Sequence, residues 1–424
     1  TSIGMVELKP VQKVHRCREV SSPLDYYDVT LQPQPGGGVE ILIKEFLRPF
    51  DLSRGPFFRL RLVKIEEDRH VFMFDIHHII TDGVSHEIFV RELMALYTGK
   101  KLPLLNIRYK DYSVWQKSAR QQNLLAQQEA FWLAQFQTGD EIPVLVLPYD
   151  YPRPMLQSFV GDVLGFRLSE EETRSLRKIA AEENVTLYMI LMTIFNIFLF
   201  KLSGREDIVV GTPVAGRRRT DLESIIGVFI NTLPIRSYPC GEKTLQAFLQ
   251  EVKQITLQAF ENQGYQFENL VEKVDVRRDT GRNPLFDTVF VLQISHVQPI
   301  AGISGTGDPM MQLKPYPGHK EKTAKFDLTL SAVEEVQGIS MYLEYCTQLF
   351  MRETIERFVH YFKQTAAAMI ADRDQYLSHI NILPGQEKKR LLEVFVQAEV
   401  QYPIHKTLCR LFAEQVKRTP DNTA

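Results

Sequence analysis

Four cysteines, Cys17, Cys240, Cys346 and Cys409, are too few and too scattered along 424 residues to form a metal knuckle or a paired-cysteine redox motif. A reducing, cytosolic setting is the default for such a chain. An excess of one charge is also missing: 50 Lys and Arg against 52 Asp and Glu leave a formal net charge of −2. That balance gives no electrostatic case for a nucleic-acid backbone or an anionic membrane as main partner. No apolar run reaches the roughly 20 residues that a bilayer span needs. The longest, Leu187 to Leu202, is interrupted by Thr193, Asn196 and Lys201 and reads as a buried helix. Thr1 to Val20 has neither the basic start nor the apolar core of a secretory signal. There is no short-period repeat and no low-complexity tract, and both ends read as cut from a longer chain.

What is present is a globular composition, 44% hydrophobic and 24% charged, long enough for two domains or lobes. Helical spacing predicts helices over 124–137, 169–184, 187–202, 244–262 and 351–371. Strand-like runs are interleaved at 208–214, 286–294, 326–333 and 339–346. Their irregular alternation predicts an α/β fold with mixed sheets covered by helices. The stretch from Thr138 to Pro154 carries Gly139, Pro143, Pro148, Pro152 and Pro154, which stop helices and break interior strands. The expected division is an N-terminal lobe over 1–137, a crossing over 138–165, a C-terminal lobe over 166–383 and a linker over 384–404. Residues 405–424, with an amphipathic helix at Leu408 to Val416, read as the start of another domain.

The most informative stretch is Ile76-His77-His78-Ile79-Ile80-Thr81-Asp82-Gly83-Val84-Ser85. The run before it, His70 to Ile76, suits a strand buried on both faces. The run after it, His86 to Tyr97, has helical spacing. The chain therefore goes from strand through a tight turn to helix, a junction on which enzymes hang reactive groups. His78, Asp82 and His86 stand at i, i+4 and i+8, which on one continuous helix would align three metal ligands. Thr81-Asp82-Gly83 argues against a continuous helix, because a glycine in a helix interior costs about 1 kcal/mol.

His77 to Gly83 resembles the signature of condensation domains of nonribosomal peptide synthetases, a superfamily sharing its fold with chloramphenicol acetyltransferase. Four further stretches, in order, resemble the family's downstream motifs: Tyr109-Lys110-Asp111-Tyr112-Ser113-Val114-Trp115, then Ile226 to Arg236, then Asn262 to Glu268, then Arg278 to Asp287. The resemblance covers nearly all of Thr1 to Leu383, and the tail from about His405 is similar to the opening of an adenylation domain. It implies two chloramphenicol acetyltransferase-like lobes in a V-shaped pseudo-dimer, with His78 in a tunnel between them and a carrier arriving at each end. It also implies that the arginine partner of Asp82 belongs to a motif ahead of Thr1.

The implied reaction is peptide-bond formation, the amine of a downstream carrier-bound aminoacyl thioester attacking the thioester of an upstream donor. Upstream and downstream peptidyl carrier domains and an adjoining adenylation domain are the implied partners. Phosphopantetheine on the carriers is the tether, and the domain has no intrinsic cofactor and no metal. Positioning is the larger chemical problem, because an α-amino group with a pKa of about 7.7 to 8.0 is partly neutral near pH 7 already. His78 is the candidate to accept a proton from the amine or to orient it. Strand alternation points His77 away from His78 and makes it a structural histidine. Asp82 is expected as a loop anchor beside an arginine. Gly83 is expected where a tight turn admits no side chain, with added bulk blocking access. Ser85 and Asn231 are placed near the tunnel, whereas Arg282 and Asp287 belong to a motif that ties loops or lobes together.

Other features read plainly. The glycine-rich Ala301 to Pro309 is interrupted by proline and precedes no helix, so it is a loop rather than a phosphate cradle. The run Lys314 to Lys325 reads as a solvated loop. Arg217-Arg218-Arg219 is read either as a contact to a phosphopantetheine phosphate or as an exposed turn. A heterocyclisation domain would carry aspartates in place of His77 and His78. An epimerisation domain would lack the Arg-Asn-Pro-Leu-Phe-Asp stretch at 282–287. The alternative from another class is a catalytically idle module that docks carriers.

Overall fold

The computed structural model describes residues 1–16, 24–30, 35–137, 142–274, 279–294, 322–335, 338–396 and 406–419. Cys17, Arg278, the glycine-rich stretch 301–309, most of the lysine-bearing run and residues 397–405 and 420–424 lie outside them. A hairpin of β1 (Ser2–Val6) and β2 (Lys9–Lys13) opens the chain. Next come β3 (Leu24–Asp28), α1 (Pro35–Phe46), β4 (Phe58–Glu66) and β5 (Arg69–Ile76). The strands β3, β4 and β5 form a three-stranded sheet in that order, parallel then antiparallel. Val63, Val71 and Met73 of this sheet close a small core with Val29, Val39 and Phe46. In β5 only Val71 and Met73 are buried, so the expected strand with two buried faces is an edge strand with one.

A 3-10 turn at His78–Ile80 leads into α2 (Gly83–Tyr97), followed by α3 (Tyr109–Gln116) and α4 (Ala119–Phe136). The larger unit then runs through β6 (Gly161–Leu168), α5 (Glu170–Glu182), α6 (Leu187–Ser203), β7 (Ile208–Val214), β8 (Asn231–Ser237), α7 (Leu245–Glu261) and α8 (Phe267–Lys273). It continues with β9 (Thr288–Ile294), β10 (Leu328–Glu335), β11 (Gly338–Cys346), α9 (Arg352–Ala371) and α10 (Gly385–Val396), and α11 (Leu408–Arg418) follows along the chain. Its six strands form one mixed sheet in the order β6-β11-β10-β9-β7-β8, with β9 parallel to both β10 and β7 and the other pairs antiparallel. Helix α6 is the core of this unit. Every residue from Met189 to Leu199 is buried, and the polar interruptions are satisfied locally, Thr193 Oγ1 donating to Met189 O and Asn196 Nδ2 to Met192 O. Among the described residues no single helix is long and apolar enough to cross a membrane.

Helix α4 packs with the second unit. Trp132 and Phe136 lie in the large core, Trp132 Nε1 donates to Asn262 O at 2.9 Å, and Glu129 accepts from Tyr265 Oη. Helix α4, inside the span expected for the N-terminal lobe, thus packs on the core of the second unit. The proline-rich segment after it is held as well. Arg153 donates to both carboxylate oxygens of Asp327 and to Gly281 O, and Tyr149 Oη donates to Asp327 Oδ2 at 2.9 Å.

Candidate functional site

The histidine pair stands just past β5 and does not continue the strand. His77 N–H donates to Phe57 O at 2.9 Å, and the His77 ring caps the 3-10 turn, its Nδ1 accepting from Ile79 N at 3.0 Å. As an acceptor, Nδ1 carries no proton. The ring is half-buried, edge-on to Phe50 at 5.8 Å, and the Arg59 guanidinium lies 3.7 Å over the other ring of that contact. His78 sits on the turn itself and is exposed.

Asp82 fixes the far end of the loop. It is 3% exposed and N-caps α2, its Oδ1 accepting from Ser85 N at 2.9 Å. The same carboxylate receives Arg217 as a fork, Nη1 to Oδ2 at 2.7 Å and Nη2 to Oδ1 at 3.0 Å, and Phe229 N donates to Oδ2 at 3.0 Å. Burial pushes the Asp82 pKa up, but the guanidinium and the Phe229 and Ser85 donors outweigh it and hold it below the ordinary carboxylate range. Arg217 thus supplies within this chain the partner expected from a motif ahead of Thr1. It is neither a phosphate contact nor an exposed turn, since its side chain is 4% exposed and lies over the Phe229 ring.

Ser85 is part of the same junction. Its Oγ donates to Asp82 Oδ1 at 2.7 Å and accepts from Gly227 N at 3.0 Å and Arg217 Nη2 at 2.9 Å. At 1% exposure, with its hydrogen-bonding capacity used, it stands in the seam between the units and not on a tunnel wall. On the second unit the seam is built by two loops. Gly216, at φ +67°, lets the chain before Arg217 pass where a Cβ would lie 1.9 Å from Phe229 O. The segment 226–230 then meets α3, Tyr109 Oη donating to Val228 O at 2.8 Å and the Tyr109 and Tyr112 rings packing on Phe229 at 5.2 and 4.8 Å.

The remaining expected residues divide. Gly83 is the exposed first residue of α2 with no positive φ, and a Cβ there would meet nothing within 4 Å. The turn does not require glycine, so any effect of bulk falls on what enters the open space beside it. Asn231 is buried and clamps a loop, Nδ2 donating to Gln263 O and Tyr265 O and Oδ1 accepting from Thr232 N and Phe267 N. Arg282 donates to Asp287 Oδ2 at 2.6 Å and reaches Leu145 O at 3.4 Å, tying its loop to the proline-rich segment. Burial and the nearby Asp327 carboxylate push the Asp287 carboxyl up. The metal alignment fails on geometry, because His78 precedes α2 on its own turn and both Asp82 oxygens are engaged. His86, edge-on to Phe74 at 6.0 Å, is lowered in pKa by burial and by His78.

Sequence comparison decides the family. The profile described as the condensation domain matches residues 4–392. The chain belongs to the condensation-domain family. This condensation domain is 44% identical over all 424 residues to gramicidin S synthase 2 of Brevibacillus brevis, of which it spans 9%. It is also 42% identical to tyrocidine synthase 3 of Brevibacillus parabrevis over its whole length, and spans 6% of that protein. It thus covers a small part of the curated relatives it matches. Among solved structures, a four-domain nonribosomal peptide synthetase bound to AMP and glycine superposes with a TM-score of 0.74 at 23% identity, covering 96% of this chain and 31% of that one. The X-domain from teicoplanin biosynthesis gives 0.76 at 21% identity, covering 90% and 86%. At these identities the structures speak for the fold, a mixed α/β architecture consistent with the chloramphenicol acetyltransferase-like class.

Arg217, Tyr109, Tyr112 and Phe229 all stand in stretches singled out in the sequence, but the pairing of Arg217 with Asp82 and the packing of the two tyrosines on Phe229 were not foreseen. The available signal was Gly216 before an arginine run: a buried carboxylate needs a cation, and a chain turning sharply into arginines can supply one from far along the sequence.

Proposed function

We propose that this condensation domain forms an amide bond between two carrier-tethered substrates. The amine of the downstream aminoacyl thioester attacks the upstream thioester carbonyl; a C–N bond forms, the C–S bond breaks, and the upstream phosphopantetheine thiol leaves. The observation that carries this reading is an exposed His78 on a turn fixed at both ends, by the His77 cap before it and by the Asp82–Arg217 ion pair after it. An imidazole with a reference pKa of about 6.5 can accept the proton that the attacking nitrogen sheds. A turn held this firmly also orients the amine, and orientation is the larger share of the barrier in such a transfer.

Family membership and synthetase relatives support this activity, and the exposed apolar stripe of Leu408, Phe412 and Val416 on α11 supports an adenylation domain adjoining it. The test is a two-carrier assay with loaded donor and acceptor carriers and mass detection of the tethered dipeptide. The wild-type chain should make dipeptide and His78→Ala should make far less. Binding of both carriers without product, across varied substrates, would favour the idle docking module instead.

A further inference from the structure

Basic residues are concentrated in one place on this nearly neutral chain. Between Glu92 and Glu129 there are six basic residues, Lys100, Lys101, Arg108, Lys110, Lys117 and Arg120, and one acidic residue, Asp111. All six are exposed, and none forms a salt bridge among the described residues. Asp111 is spent locally, its Oδ2 accepting from Arg108 N at 2.9 Å at the start of α3. Apolar groups lie among the cations: Leu104 is 96% exposed, Val114 73% and Trp115 38%. Trp115 stacks on Tyr112 at 5.8 Å. Helix α3 is therefore two-sided, with Tyr109 and Tyr112 closing the seam on Phe229 and Lys110, Val114 and Lys117 facing out. The short turn Thr220–Leu222 beside it brings Asp221 and Glu223, offset by the exposed Arg218 and Arg219.

We propose that the outer face of α3, with the loop before it and the first turn of α4, is the docking surface for one carrier domain, and that this carrier presents an acidic face around an apolar contact. This rests on the amide-forming reading above, which needs two carriers delivered to the seam. Charge complementarity selects an acidic partner and speeds encounter, while a stacked aromatic among aliphatic side chains supplies the apolar centre that holds it. A nucleic-acid backbone would use the cations but has no use for exposed Leu104 and Val114. One face of Trp115 is also already taken by Tyr112, which leaves a poor platform for a base.

The test is a fluorescence-anisotropy titration of the full 424-residue chain with a labelled holo carrier domain from the same synthetase, at low and at physiological salt. The charge-reversed variant Lys110→Glu/Lys117→Glu/Arg120→Glu is compared after thermal melting confirms its fold, and Lys117→Glu alone serves if the triple variant does not fold. Carrier affinity should fall with salt for the wild type, and should drop tenfold or more in the triple variant, threefold or more in the single one. Equal carrier affinity of wild type and variant overturns the surface. Loss of binding to a single-stranded oligonucleotide with carrier affinity retained overturns it in favour of nucleic acid. The amide-forming reading fails separately, when the wild-type chain binds carrier through this patch yet makes no dipeptide from loaded carriers.

Discussion

Gly227 lies flat against the ring of Tyr109, so close that a Cβ on Gly227 would stand 2.1 Å from Tyr109 Cδ2 and 2.5 Å from Cε2. The same glycine donates its N–H to Ser85 Oγ, so the approach of the ring and the hydrogen bond across the seam depend on one another. Gly227→Ala forces either the ring or the loop to move, an overpacking that costs about 1–3 kcal/mol. The expected result is a lower denaturant midpoint and a lower condensation rate. Tyr109→Leu, which removes the edge of the ring, should restore part of both in the double variant; a double variant no better than Gly227→Ala would place the strain elsewhere.

Asp82→Asn leaves the Arg217 guanidinium buried without its counter-charge, and breaking a buried pair from one side costs about 3–5 kcal/mol. Arg217→Met should cost a similar amount. Because the two share one interaction, the double variant should be markedly more stable than the sum of the single losses implies. Urea unfolding of the four proteins measures the coupling, and strict additivity would mean that the pair contributes nothing specific.

The pH dependence of that contribution has a definite sign. The folded-state pKa of Asp82 is held below the unfolded value of about 3.9, so its stabilisation is fully present above roughly pH 4 and is lost as pH falls through the folded value. The gap in midpoint between wild type and Asp82→Asn should be flat from neutrality down to about pH 4 and close only below it. A gap that closed near pH 6 would point to a histidine as the controlling group.

The two histidines should separate cleanly. The His78 side chain makes no hydrogen bond among the described residues and is exposed, so His78→Ala should leave the melting temperature near that of the wild type while lowering the rate by about 10²- to 10⁴-fold. His77→Ala removes the acceptor for Ile79 N and should cost about 0.5–1.5 kcal/mol as well as rate. His77→Asn, whose side-chain oxygen can accept the same N–H, should recover stability and part of the rate. Equal loss in His77→Asn and His77→Ala would assign the ring a role beyond capping.

Much of the fold was legible because local pattern and tertiary burial agree. Ser169, Thr186 and Thr244 each cap the helix expected after them, and the predicted strands at 208–214 and 339–346 match β7 and β11 within a residue. What was not legible is allegiance. The apolar stripe of α4 says that Trp132 and Phe136 are buried, but a stripe does not say against which lobe, and here it is the second. The site divides in the same way. Residues 76–85 announced themselves as a loop between strand and helix, yet the partner that holds Asp82 lies 135 residues further on, where no local pattern links the two. His77 was read by strand alternation, but the strand ends at Ile76 and the 3-10 turn, not the pleat, sets where the ring points.

The position of Asp82 has a mechanical consequence. One carboxylate both starts a helix of the first unit and receives an arginine and a backbone amide of the second, so it works like a pin through two hinged plates. Sliding either plate along the other would shear the Arg217 and Phe229 bonds together and uncap α2 as well. Displacement at this point therefore costs an ion pair, a backbone hydrogen bond and a helix cap at once, which keeps the turn that carries His78, four residues away, in register with the second unit.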